Sequence, residues 1–342
     1  MKKIVFIQYL RAIAAISVIL LHASTRFNSP EMAAIYNFFR FGHMGVDLFF
    51  VISGFIISHV STNYSSNPIS FFKARMLRIL PQYWILTIIW YFTLILIPVK
   101  WADTSFSHLI ESLLFIPHWH PSFPNHIWPF LIPGWTLNYE VFFYGIFSLI
   151  LFVRKEFRTP ILIGTFTTLV LLGIFNNSKF AIFVFIFNPI LLEFLFGVLI
   201  NDVISRFKEI SRGVSIFCIF FGCLACVLFS TNYDPESPWT RVAYFALPFS
   251  FVFFGMLNLK IQLIHLPLLE KVGDASFSIY LLHTIVLTLI EKILLYFPFN
   301  LDWRYSLTSS IISIIAAIFL GMQWKTFIES PIQKLVKKLF LN

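Results

Sequence analysis

Residues 4–24 read IVFIQYLRAIAAISVILLHAS, a continuous apolar run interrupted by two basic side chains, Arg11 and His22. Its length is that of a transmembrane helix, which needs about 20 residues at about 1.5 Å each to cross the hydrocarbon of a bilayer. The pattern recurs, with apolar runs of spanning length at 42–61, 81–99, 133–153, 160–176, 180–200, 213–230, 240–258, 276–297 and 306–328. The whole chain of 342 residues is 58% hydrophobic and only 12% charged, with a mean hydropathy of +0.82. That balance excludes a water-soluble domain with an ordinary polar surface. In lipid every backbone N–H and C=O must be paired internally, so the choice is a helix bundle or a closed barrel, and runs of this length select helices. The sequence predicts an all-α fold, a polytopic transmembrane helix bundle of about ten spans, as a single integral-membrane domain over 1–342.

The formal net charge of +9 is distributed in short clusters between the apolar runs, as the positive-inside rule expects, so it reports topology and no nucleic-acid partner. Alternation places Lys73, Arg75, Arg78, Arg154, Lys155, Arg158, Arg206, Lys208, Arg212, Lys334, Lys337 and Lys338 on one side. The opposite side receives Arg26, Arg40, Lys100, Lys179, Arg241, Lys292 and Arg304. This asymmetry predicts that both termini are cytoplasmic. Lys2 and Lys3 before an apolar run resemble the start of a signal peptide, but Arg11 interrupts the run and no small-residue cleavage site follows, so we read a retained span. Cys218, Cys223 and Cys226 share one apolar run, which suits small buried residues better than a disulfide framework or a zinc site. The long connection 99–132, with Trp101, Trp119, Trp128 and four prolines, reads as an interfacial or capping segment. His118, His120 and His126 in it have a spacing that can hold a metal, but no cysteine accompanies them; contact with a polar substrate is favoured and no metal is expected.

Ionisable groups inside spans are costly and invite a functional reading beside a structural one. Arg11 and His22 lie eleven residues apart, three turns plus about 20°, so they share a helix face about 16 Å apart. Either alone reads as a snorkelling or helix-end residue; together they favour function. The second run opens GHMGVD, so Asp47 sits about one turn inside the membrane with His43 at i−4, a possible pair or an interfacial orientation signal. Ser53 and Gly54 read as small-residue helix packing. The stretch GWTLNYEVFFY, residues 134–144, buries Glu140 at a depth like that of Asp47. Depth counting therefore gathers His22, Asp47 and Glu140 in the outer half, where a carboxylate beside a histidine suits a general base for acylating an alcohol. At the inner half it places Arg11, His283 in the run SFSIYLLH, and Lys73, Arg75 and Arg78, which suit an anionic, phosphate-bearing donor or ordinary positive-inside signalling. Glu193 and Asp202 read as structural or interfacial.

These stretches, IQYLRAIAAISVILLH, GVDLFFVISGFI, FFKARMLRILPQYW, GWTLNYEVFFY and SFSIYLLH, resemble the membrane acyltransferase-3 family, and within it the exopolysaccharide O-acetyltransferases of the ExoZ type. The resemblance runs from about residue 4 to 335 and includes Glu329-Ser330-Pro331. It implies a ten-helix enzyme of the bacterial cytoplasmic membrane that moves an acyl group, acetyl above all, from acyl-CoA to a glycan or lipid-linked glycan. Carried over by motif, Arg11 and His22 match the first-span pattern, Asp47 the second-span acid, Arg75 and Arg78 the basic entry to the third span, and Glu140 the tryptophan-to-glutamate motif. The resulting expectation is His22, Asp47 and Glu140 as catalytic residues, Arg11, Lys73, Arg75 and Arg78 as donor-binding residues, and His43, Trp135 and His283 as substrate contacts. The rival from another class is a transporter or flippase of a lipid-linked sugar, which also needs buried charge.

Overall fold

A computed structural model describes residues 5–25, 37–62, 67–207, 210–229, 234–259, 265–295 and 303–340. Lys2, Lys3, Arg26 and Lys208 of the topology reading lie outside the described residues. Those described form helices and no strand, apart from one isolated bridge between His120 and Phe123. In chain order the helices are α1 (Val5–Ser24), α2 (Met44–Ser61), α3 (Pro68–Leu96), α4 (Phe106–Leu113), α5 (Trp135–Ile150), α6 (Lys155–Ile174), α7 (Ala181–Ile186), α8 (Leu191–Arg206), α9 (Arg212–Phe229), α10 (Pro238–Arg241), α11 (Leu247–Leu259), α12 (Pro267–Asp274), α13 (Ser276–Leu294), α14 (Trp303–Trp324) and α15 (Ser330–Phe340). Among the described residues nine helical stretches are long and apolar enough to cross a membrane. The remaining expected span, α5, has 16 residues, or about 24 Å of helix.

Two elements differ from their expected bounds for local reasons. The third span, expected from Pro81, begins at Pro68 and runs 29 residues with Pro81 inside it. Asn67 caps it by accepting the amide of Ser70 at 2.9 Å, and Pro68 starts the helix where its missing N–H is harmless. Lys73, Arg75 and Arg78 therefore sit on a helix. The expected span 180–200 is two helices, α7 and α8, because Asn188-Pro189 breaks it; the Asn188 side chain accepts the amide of Ile190 at 3.0 Å.

The chain forms two compact units, one of Met1–Val46, Leu77–Thr136 and Leu266–Asn342, the other of Asp47–Met76 and Leu137–His265. In the first, α1 packs against α12, α13 and α14, and its small and β-branched residues Ala12, Ala14, Ala15, Val18 and Ile19 are all buried. Gly45 at the start of α2 lets it approach α1, and Gly321 lets α14 approach α13: a Cβ on them would fall 2.5 Å from the carbonyl oxygen of Ala14 and 2.4 Å from Cγ1 of Ile279. In the second unit α2 crosses α8 where Gly54 and Gly197 meet backbone, as the small-residue reading of Gly54 expects. Phe50, Phe143, Phe166 and Phe194 fill the space beside that crossing. The outer face of α9 leaves Phe217, Phe220, Val227 and Leu228 more than half exposed, which suits lipid and would be costly in water. Its three cysteines are free thiols.

Candidate active site

In the first unit the last turn of α1 carries His22 and the third turn of α13 carries His283. Their rings meet edge to face with centroids 4.9 Å apart. His22 donates its Nδ1–H to the Val18 carbonyl at 2.8 Å, and His283 donates its own to the Tyr280 carbonyl at 2.5 Å. A carbonyl oxygen can only accept, so in the neutral rings the lone pair lies on Nε2 of each. His283 is fully buried, and its Nε2 has no hydrogen-bond partner among the described residues. Depth counting placed His283 level with Arg11, and this is corrected. The start of α13 is set by α12, whose Gly273 abuts the backbone of Gln8 on α1. Ten residues beyond that contact, about 15 Å, bring His283 nearer to the level of His22 than to that of Arg11. Arg11, half-buried, lies three turns earlier on the face of α1 that bears His22. His43, in the 3-10 turn Arg40–His43, and Trp135, which opens α5, are also half-buried.

A second polar cluster in this unit surrounds Glu329, in the π-helical turn Lys325–Glu329 after α14. Its carboxylate is buried and accepts from Ser278, Lys325 and Gln333. Trp324 donates to Gln82 of α3 at 2.7 Å beside it in sequence, tying the same end of α14 to α3.

The connection after α3 forms a cap built on α4. Phe115 leaves α4 with a φ of 57°, a left-handed turn that lets Ile116 donate to Glu111 at 2.9 Å. His118 donates its Nδ1–H to Ile116, so its Nε2 accepts from Nδ1 of His108 at 2.7 Å. His120 turns its Nδ1 lone pair to the amides of Ser122 and Phe123 and packs its ring 4.9 Å from that of His108. His126 accepts the amide of His120 at its carbonyl, 2.9 Å away, and stacks its ring on Trp128 at 3.9 Å. Burial first, then His118 and His120, pushes His108 down to about 4. The described residues contain no cluster of three or more histidine, cysteine or acidic side chains suited to a metal ion.

In the second unit Asp47, in the first turn of α2, is fully buried, and its Oδ1 accepts the Nε–H of Arg241 at 2.9 Å with Nη2 beside it. Arg241 ends α10 just before the π-helical turn Val242–Ala246 and is itself buried, so its expected place in an external loop is corrected. Glu193, in the first turn of α8, is fully buried within electrostatic reach of both, its carboxyl group beside that of Asp47. Asp202 pairs with Arg206 one turn later at 2.7 Å. Glu140 is half-buried and held by hydroxyls, accepting from Ser53 at 3.1 Å and from Tyr144 at 3.2 Å. On α3, Lys73 and Arg78 are exposed, and the guanidinium of Arg75 lies 5.8 Å from the ring centre of Phe71.

Residues 4–322 match the acyltransferase domain of the acyltransferase-3 family. The chain belongs to that family. This acyltransferase is 32% identical over 261 residues to the exopolysaccharide production protein ExoZ of Rhizobium meliloti, covering 74% of this chain and 79% of that protein. It is 23% identical over 366 residues to the O-acetyltransferase OatA of Staphylococcus aureus, covering 97% of this chain but 57% of OatA, whose length it spans only in part. No solved structure gives a significant match.

Arg11, His22, Asp47, Arg75, Arg78 and Glu140 fall inside the matched region of this acyltransferase, whereas Glu329-Ser330-Pro331 lies beyond its end. Within the first unit the fold brings His22 to His283; within the second it brings Asp47 to Arg241 and Glu193, and Glu140 to Ser53 and Tyr144. Arg241, Glu193 and His108 were not among the expected functional residues. A signal for Arg241 existed: a lone arginine at the mouth of an apolar run, in a chain with a carboxylate inside another, calls for an ion pair.

Proposed function

We propose that this membrane acyltransferase moves an acyl group, acetyl by the names of its relatives, from acyl-CoA to a hydroxyl of a cell-surface or secreted polysaccharide or of its lipid-linked precursor. The reading places the enzyme in the bacterial cytoplasmic membrane. The observation that carries it is His22: a histidine inside a span, its Nδ1–H fixed by Val18, with Nε2 left as the basic nitrogen. In the proposed reaction Nε2 takes the proton from the acceptor hydroxyl, the oxygen attacks the thioester carbonyl, the C–S bond breaks, and the departing thiolate recovers the proton. Attack by His22 itself, through an acyl-histidine, uses the same nitrogen in another order. Asp47 and Glu140 are assigned as acids the transfer requires, and the basic turn Lys73, Arg75 and Arg78 of α3, with Arg11 on α1, as the group that attracts the donor phosphates. His43 and Trp135 are assigned to the acceptor.

The test is the O-acyl content of the host's surface and secreted polysaccharides, by mass spectrometry and NMR, in a deletion strain restored with wild type or His22→Ala at equal protein level. One O-acyl group should disappear on deletion and return only with wild type. Full restoration by His22→Ala would remove His22 from the reaction, and unchanged acylation with glycan accumulating inside the cell would favour the flippase.

A further inference from the structure

We propose that Glu193 is a neutral carboxylic acid, a positioning residue that donates its O–H to Oδ2 of Asp47 and so fixes the carboxylate that the transfer uses. The role of Asp47 rests on the acyl-transfer reading, whereas the placement of the proton rests on the second unit alone. There, one guanidinium faces two carboxyl groups. Asp47 and Glu193 are fully buried and Arg241 nearly so. The Nε–H of Arg241 goes to Oδ1 of Asp47 at 2.9 Å, and Nη2 goes to the same oxygen. Oδ2 of Asp47 and both oxygens of Glu193 receive no N–H or hydroxyl from any other described residue. What these two groups face is each other, within hydrogen-bond reach.

Two carboxylates cannot bond one another, since both only accept; a carboxylic acid and a carboxylate can. Charge counting leads to the same proton. With both acids ionised the cluster would hold a net negative charge among apolar spans, where an uncompensated charge is costly, and the two like charges would repel at contact. Among the described residues Arg241 is the one cation within electrostatic reach of either acid. Each acid lies in the first turn of its helix. That end of a helix favours an anion only modestly, so it does not replace a second cation. A single proton satisfies the orphan oxygens and neutralises the cluster, as in other sites built on paired carboxyl groups. It belongs on Glu193, because the guanidinium bonds to Asp47 and keeps that group the anion. Asp47 then accepts at both oxygens, from Arg241 on α10 and from Glu193 on α8, so its carboxylate is held from two separate helices.

Infrared spectroscopy of the purified full chain, in a detergent that lacks ester and carboxyl groups, reads the proton directly. Wild type should show the C=O stretch of a protonated carboxyl group at neutral pH. Glu193→Gln should lose that band and keep the melting temperature, because its amide donates to Oδ2 as the acid does. Spectra of wild type and Glu193→Gln that superpose in this region would mean an ionised Glu193 and would overturn the inference. The positioning role is read in membranes at matched protein levels, with acetyl-CoA as the probe, as release of free thiol and as O-acetyl content of the glycan. Leucine fills the space without a donor, so Glu193→Leu should lower kcat about 10-fold with KM for acetyl-CoA unchanged. Glu193→Gln should keep several-fold more activity than Glu193→Leu. Equal losses in both variants, or wild-type turnover in Glu193→Leu, would remove the positioning role while leaving acyl transfer intact. Wild-type membranes that release no thiol, with a deletion strain whose glycans are unchanged, would instead overturn the acyl-transfer reading and the role given to Asp47, while the infrared band would still report the proton on Glu193.

Discussion

The ion pair of Asp47 and Arg241 shows how much of this protein's polar chemistry is committed to charge compensation. Two charges removed from water are tolerated only as long as both are present, and deleting one leaves the other buried without a counter-charge. We expect Arg241→Ala to cost about 3–5 kcal/mol, read as a loss of melting temperature and of monodisperse protein in detergent. The double change Asp47→Leu with Arg241→Met should recover the stability but not the transfer activity if Asp47 is also a functional acid; recovery of both would reduce the pair to a structural device. Residues like Arg11 and His22 are legible in sequence because an ionisable side chain deep in an apolar run of this length has few bland explanations. Arg241 is hard to read because it lies at the edge of a run, where a cation is ordinary, and because its partner lies 194 positions away in sequence. His283 was legible as a residue but not as a location, since its depth depends on how α12 docks on Gln8 and not on where its own apolar run begins.

Among the elements, the spans were readable wherever hydrophobicity alone bounds them, as in α1, α9 and α13. They were misread where a capping residue or a Pro decides, as at Asn67-Pro68 and Asn188-Pro189. The cap between α3 and α5 is the least legible, because its order comes from hydrogen bonds made by histidine side chains distributed over 13 positions, from His108 to His120, to one another and to the main chain. Its chemistry predicts an acid sensitivity. His108 falls from its ordinary 6.5 to about 4, chiefly through burial, so the ordered cap binds a proton more weakly than the disordered segment does. The stabilising contribution is complete above about 6.5 and is lost as pH falls through about 4. Burial lowers His120 in the same direction. Protease cleavage within the cap should rise as pH is lowered over that interval, with His108→Gln flattening the response. A cap equally ordered at both ends of the interval would show that the histidines do not hold it.

For the molecule as a whole, the parity of spans decides where the chain ends emerge, and parity turns on α5. This helix has 16 residues, about 24 Å against a hydrocarbon core of about 30 Å. The 3-10 turn Ile132–Gly134 directly precedes it, adding three residues, or about 6 Å, which brings the helical stretch to about the thickness of the core. If α5 crosses, the nine longer helical stretches and α5 make ten spans and both termini share a side; if it does not, the termini face opposite sides. The basic residues of the loops favour ten, since Arg154, Lys155 and Arg158 after α5 then join Lys73, Arg75, Arg78 and the lysines of α15 on the cytoplasmic side. We therefore expect a fluorescent protein fused after residue 340 to mature in the cytoplasm, and alkaline phosphatase at the same point to be inactive. Phosphatase inserted in the segment between α4 and α5 should be active, and fusions between α5 and α6 should again fluoresce. Active phosphatase at the C-terminal point would show that α5 does not span, and would reverse the sidedness assigned to every loop after it.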